Sequence, residues 1–302
     1  MISKAVVETL KQFLPAENVF EKEPMKKHTT FRIGGEADCF VCVENTLQLK
    51  EVQAYLQGLQ IPYYVLGNGS NLLVSDEGYR GVILEIGDKM SDIRVEGNCI
   101  VAQAGALMSK IAHVALEHGL TGFEFAAGIP GTIGGGVVMN AGAYGGELKD
   151  VITTVEVINR DGEILLLDNA AMEFGYRTSI LKKQPYIVTE VKIALQEGAG
   201  ENIKATMDDL GKKRREKQPL EFPSAGSTFK RPEGHFAGAL IMNAGLRGFQ
   251  VGGAQVSEKH CGFVINKGNA TAEDVKELIK QVQKEVKTQF GVDLEPEVIF
   301  LG

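Results

Sequence analysis

Residues 67–71, Gly-Asn-Gly-Ser-Asn, lie between two apolar runs, IPYYVLG and GVILEI. Such a loop can hold an anion or a flat ligand through a nest of backbone N–H groups, with Asn68, Ser70 and Asn71 adding side-chain donors. It is not a Walker A loop, because no Gly-Lys-Ser/Thr follows. Nor is it a dinucleotide fingerprint, because Leu72 stands where the third glycine belongs and a strand-like run follows where a helix should. A second cluster, AAGIPGTIGGGVVMNAGAYGGE (126–147), places small residues so densely that a backbone or a flat ligand must approach closely. Two separated Gly/Asn-rich loops without either standard nucleotide motif point to a large dinucleotide bound in extended form.

Other reactive residue types support less. The five histidines (28, 113, 118, 235 and 260) form no metal-binding spacing, and no metal is expected. Ser227-Thr228-Phe229-Lys230 matches S-x-x-K, but it lacks the S-D-N and K-T-G companions of acyl-serine enzymes. No G-x-S-x-G is present. Cys39 and Cys42 form a C-x-x-C inside a strand-like run, where the two sulfurs point to opposite faces, so they read as two small hydrophobes. By residue type alone, Arg177 is a surface cation, Ser227 a loop serine, and Glu295 and Glu297 two solvated acids on one strand face.

The elements that must position these groups follow from periodicity. An amphipathic helix is predicted over 2–14 and another over Thr46 to about Leu59, with Leu49, Val52, Leu56 and Leu59 on one side. FRIGGEADCFVCV and the runs flanking the first loop read as strands, followed by strands near 92–102 and a helix over 106–118. TTVEVINRDGEILLL is a hairpin about Arg160-Asp161-Gly162. Gly198-Ala199-Gly200 reads as a hinge, followed by a helix with Ile203, Met207 and Leu210. The strongest helix starts at Thr271, where Asp274 completes a capping box, and stops at Gly291. VDLEPEVIFLG is a terminal strand. The interspersed elements lack a βαβαβ repeat, which predicts an α+β fold.

At 302 residues the chain is long enough for about two domains at the usual ~150 residues each. A net charge of −7 argues against nucleic-acid binding. Charged residues interrupt the N-terminal stretch, so it is no signal peptide. The uncharged stretch 125–146 holds eight glycines and a proline, which disqualifies it as a lipid-facing helix. A soluble chain without membrane insertion is expected, in the reducing cytoplasm.

LGNGSNLL, AGIPGTIGGGVVMNAGAYGGE, FGYRTSIL, FPSAGSTFK and LEPEV, in this order and spacing, resemble the UDP-N-acetylenolpyruvoylglucosamine reductase family from about His28 to the C-terminus. The resemblance implies an FAD-binding fold of the vanillyl-alcohol-oxidase/PCMH type with an additional α+β substrate-binding domain. It divides the chain into an FAD-binding region over 1–197 (lobes of about 1–85 and 86–197), a substrate domain over 198–292, and a strand over 293–302 returning towards the active site. FAD is expected non-covalently bound, with NADPH as co-substrate. The substrate is UDP-N-acetylglucosamine-enolpyruvate, reduced to UDP-N-acetylmuramate for peptidoglycan; no obligate protein partner is implied.

By resemblance, Gly67, Asn68, Gly69, Ser70 and Asn71, together with Gly128, Ile129, Pro130, Gly131, Gly134, Gly135, Asn140, Ala141, Gly142 and Ala143, cradle the FAD. Arg177, Ser227 and Glu297 are the catalytic residues. A guanidinium grips the substrate carboxylate and stabilises developing enolate charge, and a serine hydroxyl protonates the carbanion. Glu297, if protonated, donates a second hydrogen bond, which requires a raised pKa. Tyr144, Tyr176, Lys217 and Lys230 are the expected substrate-binding residues, and Lys230, three residues after Ser227, could also orient or polarise its hydroxyl. The other basic residues of KKRREK (212–217) read as solvated. Only fifty residues separate Arg177 from Ser227, which marks the family's shorter subgroup. The rivals are a sugar or lactone oxidase of the same fold, in which His28 would be the tether, and a non-catalytic FAD-binding subunit.

Overall fold

The computed structural model describes residues 2–302. In chain order its elements are α1 (Lys4–Phe13), β1 (Val19–Pro24), β2 (Glu36–Cys42), α2 (Thr46–Gly58), β3 (Tyr63–Leu66), β4 (Leu72–Val74), β5 (Tyr79–Glu85), β6 (Ile93–Glu96), β7 (Cys99–Gln103), α3 (Met108–Glu117), β8 (Leu120–Thr121) and α4 (Ile133–Val138). There follow β9 (Gly142–Ala143), β10 (Gly146–Glu147), β11 (Ile152–Ile158), β12 (Ile164–Asp168), β13 (Ile187–Ala194), β14 (Gln196–Glu197), α5 (Gly200–Lys217), β15 (Ser224–Ser227), α6 (Ala237–Asn243), β16 (Gln250–Val251), β17 (Ala254–Val256), β18 (Phe263–Asn266), α7 (Ala272–Phe290) and β19 (Ile299–Leu301). The mixture is α+β, as the interspersed pattern predicts. No helix among the described residues is long and apolar enough to cross a membrane.

The chain divides into two compact units. One comprises the residues up to Glu21, Cys39–Asn68 and Gly81–Arg214; the other comprises Lys22–Asp38, Gly69–Arg80 and Arg215–Gly302. The glycines at 198 and 200 lie inside the first unit, and the division falls within α5. Two short segments from the first hundred residues, 22–38 and 69–80, belong with the C-terminal third.

In the first unit β12-β11-β13-β7-β6 form an antiparallel sheet. The hairpin forms as expected: Ile158 pairs with Ile164 across a turn in which Gly162 takes φ +78°. Val155, Val157, Val191 and Ile193 are fully buried, and the helices α3 and α4 pack on β7. β3 runs parallel to β5. Cys39 is buried on β2, whereas the Cys42 thiol donates to Glu85 Oε2 at 3.0 Å, so the two sulfurs do diverge. Leu59 caps α2 and is exposed instead of sharing the buried face of Leu49, Val52 and Leu56.

In the second unit β15-β18-β17-β16 form an antiparallel sheet, and α7 packs on β16 and β17. α7 buries Val275, Leu278, Ile279, Val282 and Val286 at helical spacing. Its capping box and its left-handed stop at Gly291 (φ +70°) are those read from the sequence. The expected strand over 31–43 starts only at Glu36. Gly34 sits at φ +135°, and a Cβ on Gly35 would lie 2.1 Å from the Asp76 carbonyl, so the preceding backbone is committed to close packing. The expected terminal strand shrinks to β19, which pairs in parallel with β4, a strand that periodicity did not reveal.

Candidate active site

Strand β3 is followed by Gly67, where an added Cβ would come within 2.4 Å of Thr132 Oγ1, so the first loop leans on the second glycine segment. Asn68 Nδ2 fixes that approach by donating to the Pro130 carbonyl at 2.7 Å. The two Gly-rich stretches, sixty residues apart in sequence, are thus joined within the first unit. The rest of the loop belongs to the second unit. Gly69, at φ +58°, tolerates no side chain, since a Cβ would lie 2.0 Å from the His28 carbonyl. Asn71 Nδ2 donates to the Glu297 carbonyl at 3.1 Å.

Inside the second glycine segment a short helix, α4, forms where loops were expected. Thr132 caps it, accepting from Gly135 N–H at 3.4 Å. Gly134 is buried with its ideal Cβ 2.9 Å from Ala104 Cβ, so its small size serves packing within the protein. Gly128, Gly135 and Gly145 instead face outward. Beside Gly128 lies Arg214, 3.0 Å from the position of an ideal Cβ. Burial depresses the Arg214 pKa, opposed by the Tyr144 phenol, and no carboxylate is among the groups that shift it. A desolvated guanidinium without a carboxylate is placed to take an anion. Arg214 thus departs from the solvated reading of KKRREK, and nothing in that run distinguishes it from its neighbours without the tertiary contact.

Arg177 occupies a tight turn in which Gly175 and Thr178 exchange backbone hydrogen bonds of 3.0 and 3.3 Å. Its φ of +55° is costly for a non-glycine residue, and Asn140 (+43°) and Tyr144 (+54°) share that strain in the same unit. Arg177 Nη2 reaches the Gly142 carbonyl at 3.5 Å, and its guanidinium stands 5.3 Å from the Tyr176 ring centroid. Asn140, only 1% exposed, holds this turn: Nδ2 donates to the Gly175 carbonyl (3.1 Å) and to Glu147 Oε2 (2.9 Å). Its Oδ1 accepts from Lys149 N–H at 2.9 Å. The Asn140 side chain therefore braces the turn that carries Arg177. Lys149 first, then Asn140 and the Arg177 charge, hold the Glu147 carboxyl below its usual range against the opposing effect of burial. Tyr144 and Tyr176 are both about half exposed.

Ser227 ends β15 after a register shift, with Gly226 at φ +75°. Such a bulge re-aims the next side chain, and Ser227 is exposed. The buried Thr228 behind it is a junction. Its N–H donates to the Gly262 carbonyl (2.8 Å), its Oγ1 accepts from Val264 N–H (2.9 Å), and its carbonyl accepts from Glu297 N–H (2.8 Å). Phe229 pairs with Pro296 in an antiparallel bridge. The Glu297 backbone is thereby held against Thr228, the residue after Ser227 and sixty-nine positions away in sequence, in the second unit. Lys230 pairs its ammonium with the Glu295 carboxylate, and its N–H donates to the Glu295 carbonyl at 2.8 Å. Lys217 is exposed at the end of α5.

Residues 37–168 match the profile of an FAD binding domain, and residues 218–301 match that of the UDP-N-acetylenolpyruvoylglucosamine reductase C-terminal domain. The UDP-N-acetylenolpyruvoylglucosamine reductase of Caldanaerobacter subterraneus subsp. tengcongensis is 52% identical over 301 residues, covering 100% of this chain and 99% of that protein. The enzyme of the same name from Clostridioides difficile is 50% identical, covering 97% and 96%. The crystal structure of UDP-N-acetylenolpyruvylglucosamine reductase from Thermus caldophilus superposes with a TM-score of 0.81 at 36% identity, covering 93% of this chain and 98% of that one. An alkyldihydroxyacetonephosphate synthase matches 65% of this chain and 41% of its own at 16% identity and a TM-score of 0.51, a likeness of fold alone.

Proposed function

The chain belongs to the UDP-N-acetylenolpyruvoylglucosamine reductase family, and on that premise we propose how its own residues carry out the reaction. The enzyme is an FAD-dependent oxidoreductase that reduces the enolpyruvyl group of UDP-N-acetylglucosamine-enolpyruvate in peptidoglycan precursor synthesis. NADPH is the reductant, UDP-N-acetylmuramate the product and the cytoplasm the setting. Bound FAD supplies the relay that carries a hydride from NADPH to the enolpyruvyl methylene carbon.

Backbone N–H groups of Gly67, Asn68, Gly69 and Ser70 would hold the cofactor, and the exposed Gly128 and Gly135 would leave it room. Arg214 is added as a cation for its phosphates. The Arg177 guanidinium binds the substrate carboxylate and stabilises charge developing there as the hydride arrives. The Ser227 hydroxyl gives its proton to the carbon next to the methylene, completing the addition of hydride and proton across the double bond. Glu297 acts beside Ser227 on the same developing charge. Tyr144, Tyr176 and Lys217 contact the substrate. The single observation that best supports this reading is the Thr228 junction, which holds the Glu297 backbone against the residue after Ser227.

The test is an anaerobic visible spectrum of the purified protein. NADPH should bleach the flavin band, and the enolpyruvyl sugar should restore it. Bleaching without return transfers the activity to another acceptor, and no flavin band after addition of FAD overturns the reading.

A further inference from the structure

Within the second unit, the first glycine loop and the C-terminal segment are joined at one side chain. β4 and β19 pair in parallel from Leu72 with Ile299 to Val74 with Leu301. Ahead of that ladder the Asn71 carbonyl accepts from Ile299 N–H at 3.0 Å. One step further back the Asn71 side chain takes over from the ladder, with Nδ2 donating to the Glu297 carbonyl at 3.1 Å. The Glu297 N–H, facing the other way, donates to the Thr228 carbonyl at 2.8 Å. Both backbone polar groups of Glu297 are therefore paired, one through the residue after Ser227 and the other through Asn71.

We infer that Asn71 is a positioning residue that holds Glu297 in register with Ser227, rather than a ligand of the cofactor; this rests on the role given to Glu297 above. Asn71 directly follows Gly69 and Ser70, so the residues that cradle the cofactor and the one that anchors Glu297 form one short element. A backbone shift of Glu297 by about 1 Å is enough to slow a reaction by about 100-fold when geometry is the contribution at stake. Chain continuity alone does not set this register, because the ladder begins two residues after Glu297. The side-chain amide supplies the N–H that the ladder lacks at that step.

The experiment uses the FAD-loaded enzyme and separates the two half-reactions by stopped-flow absorbance. In Asn71→Ala, FAD retention and bleaching by NADPH should stay within about twofold of wild type, while return of the band with the enolpyruvyl sugar slows by about 10- to 100-fold. Amide exchange across 292–302, followed by mass spectrometry, should quicken. Asn71→Asp keeps the shape but sets a carboxylate against the Glu297 carbonyl. Its return rate, relative to that of Asn71→Ala, should rise as pH is lowered from about 8 to about 5, where a protonated acid can donate that hydrogen bond.

Return at the wild-type rate in Asn71→Ala, loss of FAD, or equal slowing of both half-reactions overturns the assignment. Glu297→Gln keeps the two readings apart. If Glu297→Gln itself returns the band at the wild-type rate, the role of Glu297 falls and this inference with it. If Glu297→Gln is slow and Asn71→Ala is not, only the positioning by Asn71 falls.

Discussion

Each of the three proposed catalytic side chains is held by a different local device. Ser227 is turned outward by a bulge, Arg177 rides a turn in left-handed backbone, and Glu297 is pinned through its main chain. These devices predict different failures. Ser227→Ala should leave bleaching by NADPH intact and abolish return of the band with the enolpyruvyl sugar, since only the proton donor is gone; retained turnover would remove the acid assignment. Arg177→Lys preserves charge but loses the fork that grips a carboxylate through two parallel hydrogen bonds. Its kcat should fall by about 10²- to 10³-fold, as when one oxyanion donor is removed, and steady-state kinetics would show it. Asn140→Ala leaves the Gly175 carbonyl and Glu147 without their amide donor. It should cost about 1–3 kcal/mol in denaturant unfolding and depress kcat through the Arg177 turn.

Among the elements, α7 shows how local and distant residues share one task. Thr271 Oγ1 and Asp274 close a capping box, the part of the N-terminus legible in the sequence. The next two N–H groups, of Ala272 and Glu273, donate to the Asp76 carboxylate at 2.8 and 3.1 Å. That partner lies nearly two hundred residues away, where no pattern around 271 points to it. Asp76→Ala should cost about 1 kcal/mol, the usual loss for a cap, read from the urea midpoint. Asp274 accepts first from Thr271 N–H and then from Gly253 N–H, which together lower its pKa. A carboxylate with a depressed folded pKa contributes stability that is complete above the unfolded value of about 3.9 and is lost as pH falls through the folded one. Wild type and Asp274→Asn should therefore differ most near neutrality and converge in acid, as unfolding measured from about pH 7 to about pH 2 would reveal. A constant difference across that range would mean that packing, not charge, sets the contribution.

At the scale of the molecule, a non-covalently held flavin predicts that heat or guanidinium releases the yellow chromophore into the filtrate, whereas a histidine tether would keep it with the chain. The sequence by itself determined the elements whose causes are local: the hairpin about Gly162, the capped α7 with its glycine stop, the two glycine loops, and the five ordered motifs that mark the family. Periodicity and turn chemistry act over a few residues, so they survive without a fold. Only the tertiary structure decided which distant segments meet. It placed 22–38 and 69–80 with the C-terminal third, paired β4 with β19, gave Lys230 to Glu295, set Arg214 against Gly128, and assigned Asn71 to Glu297 and Asn140 to the Arg177 turn. In each of these a buried polar group or close-packed backbone finds its partner across a large sequence separation. Such pairings answer to the satisfaction of buried donors and acceptors in three dimensions, a constraint that leaves no periodic trace along the chain.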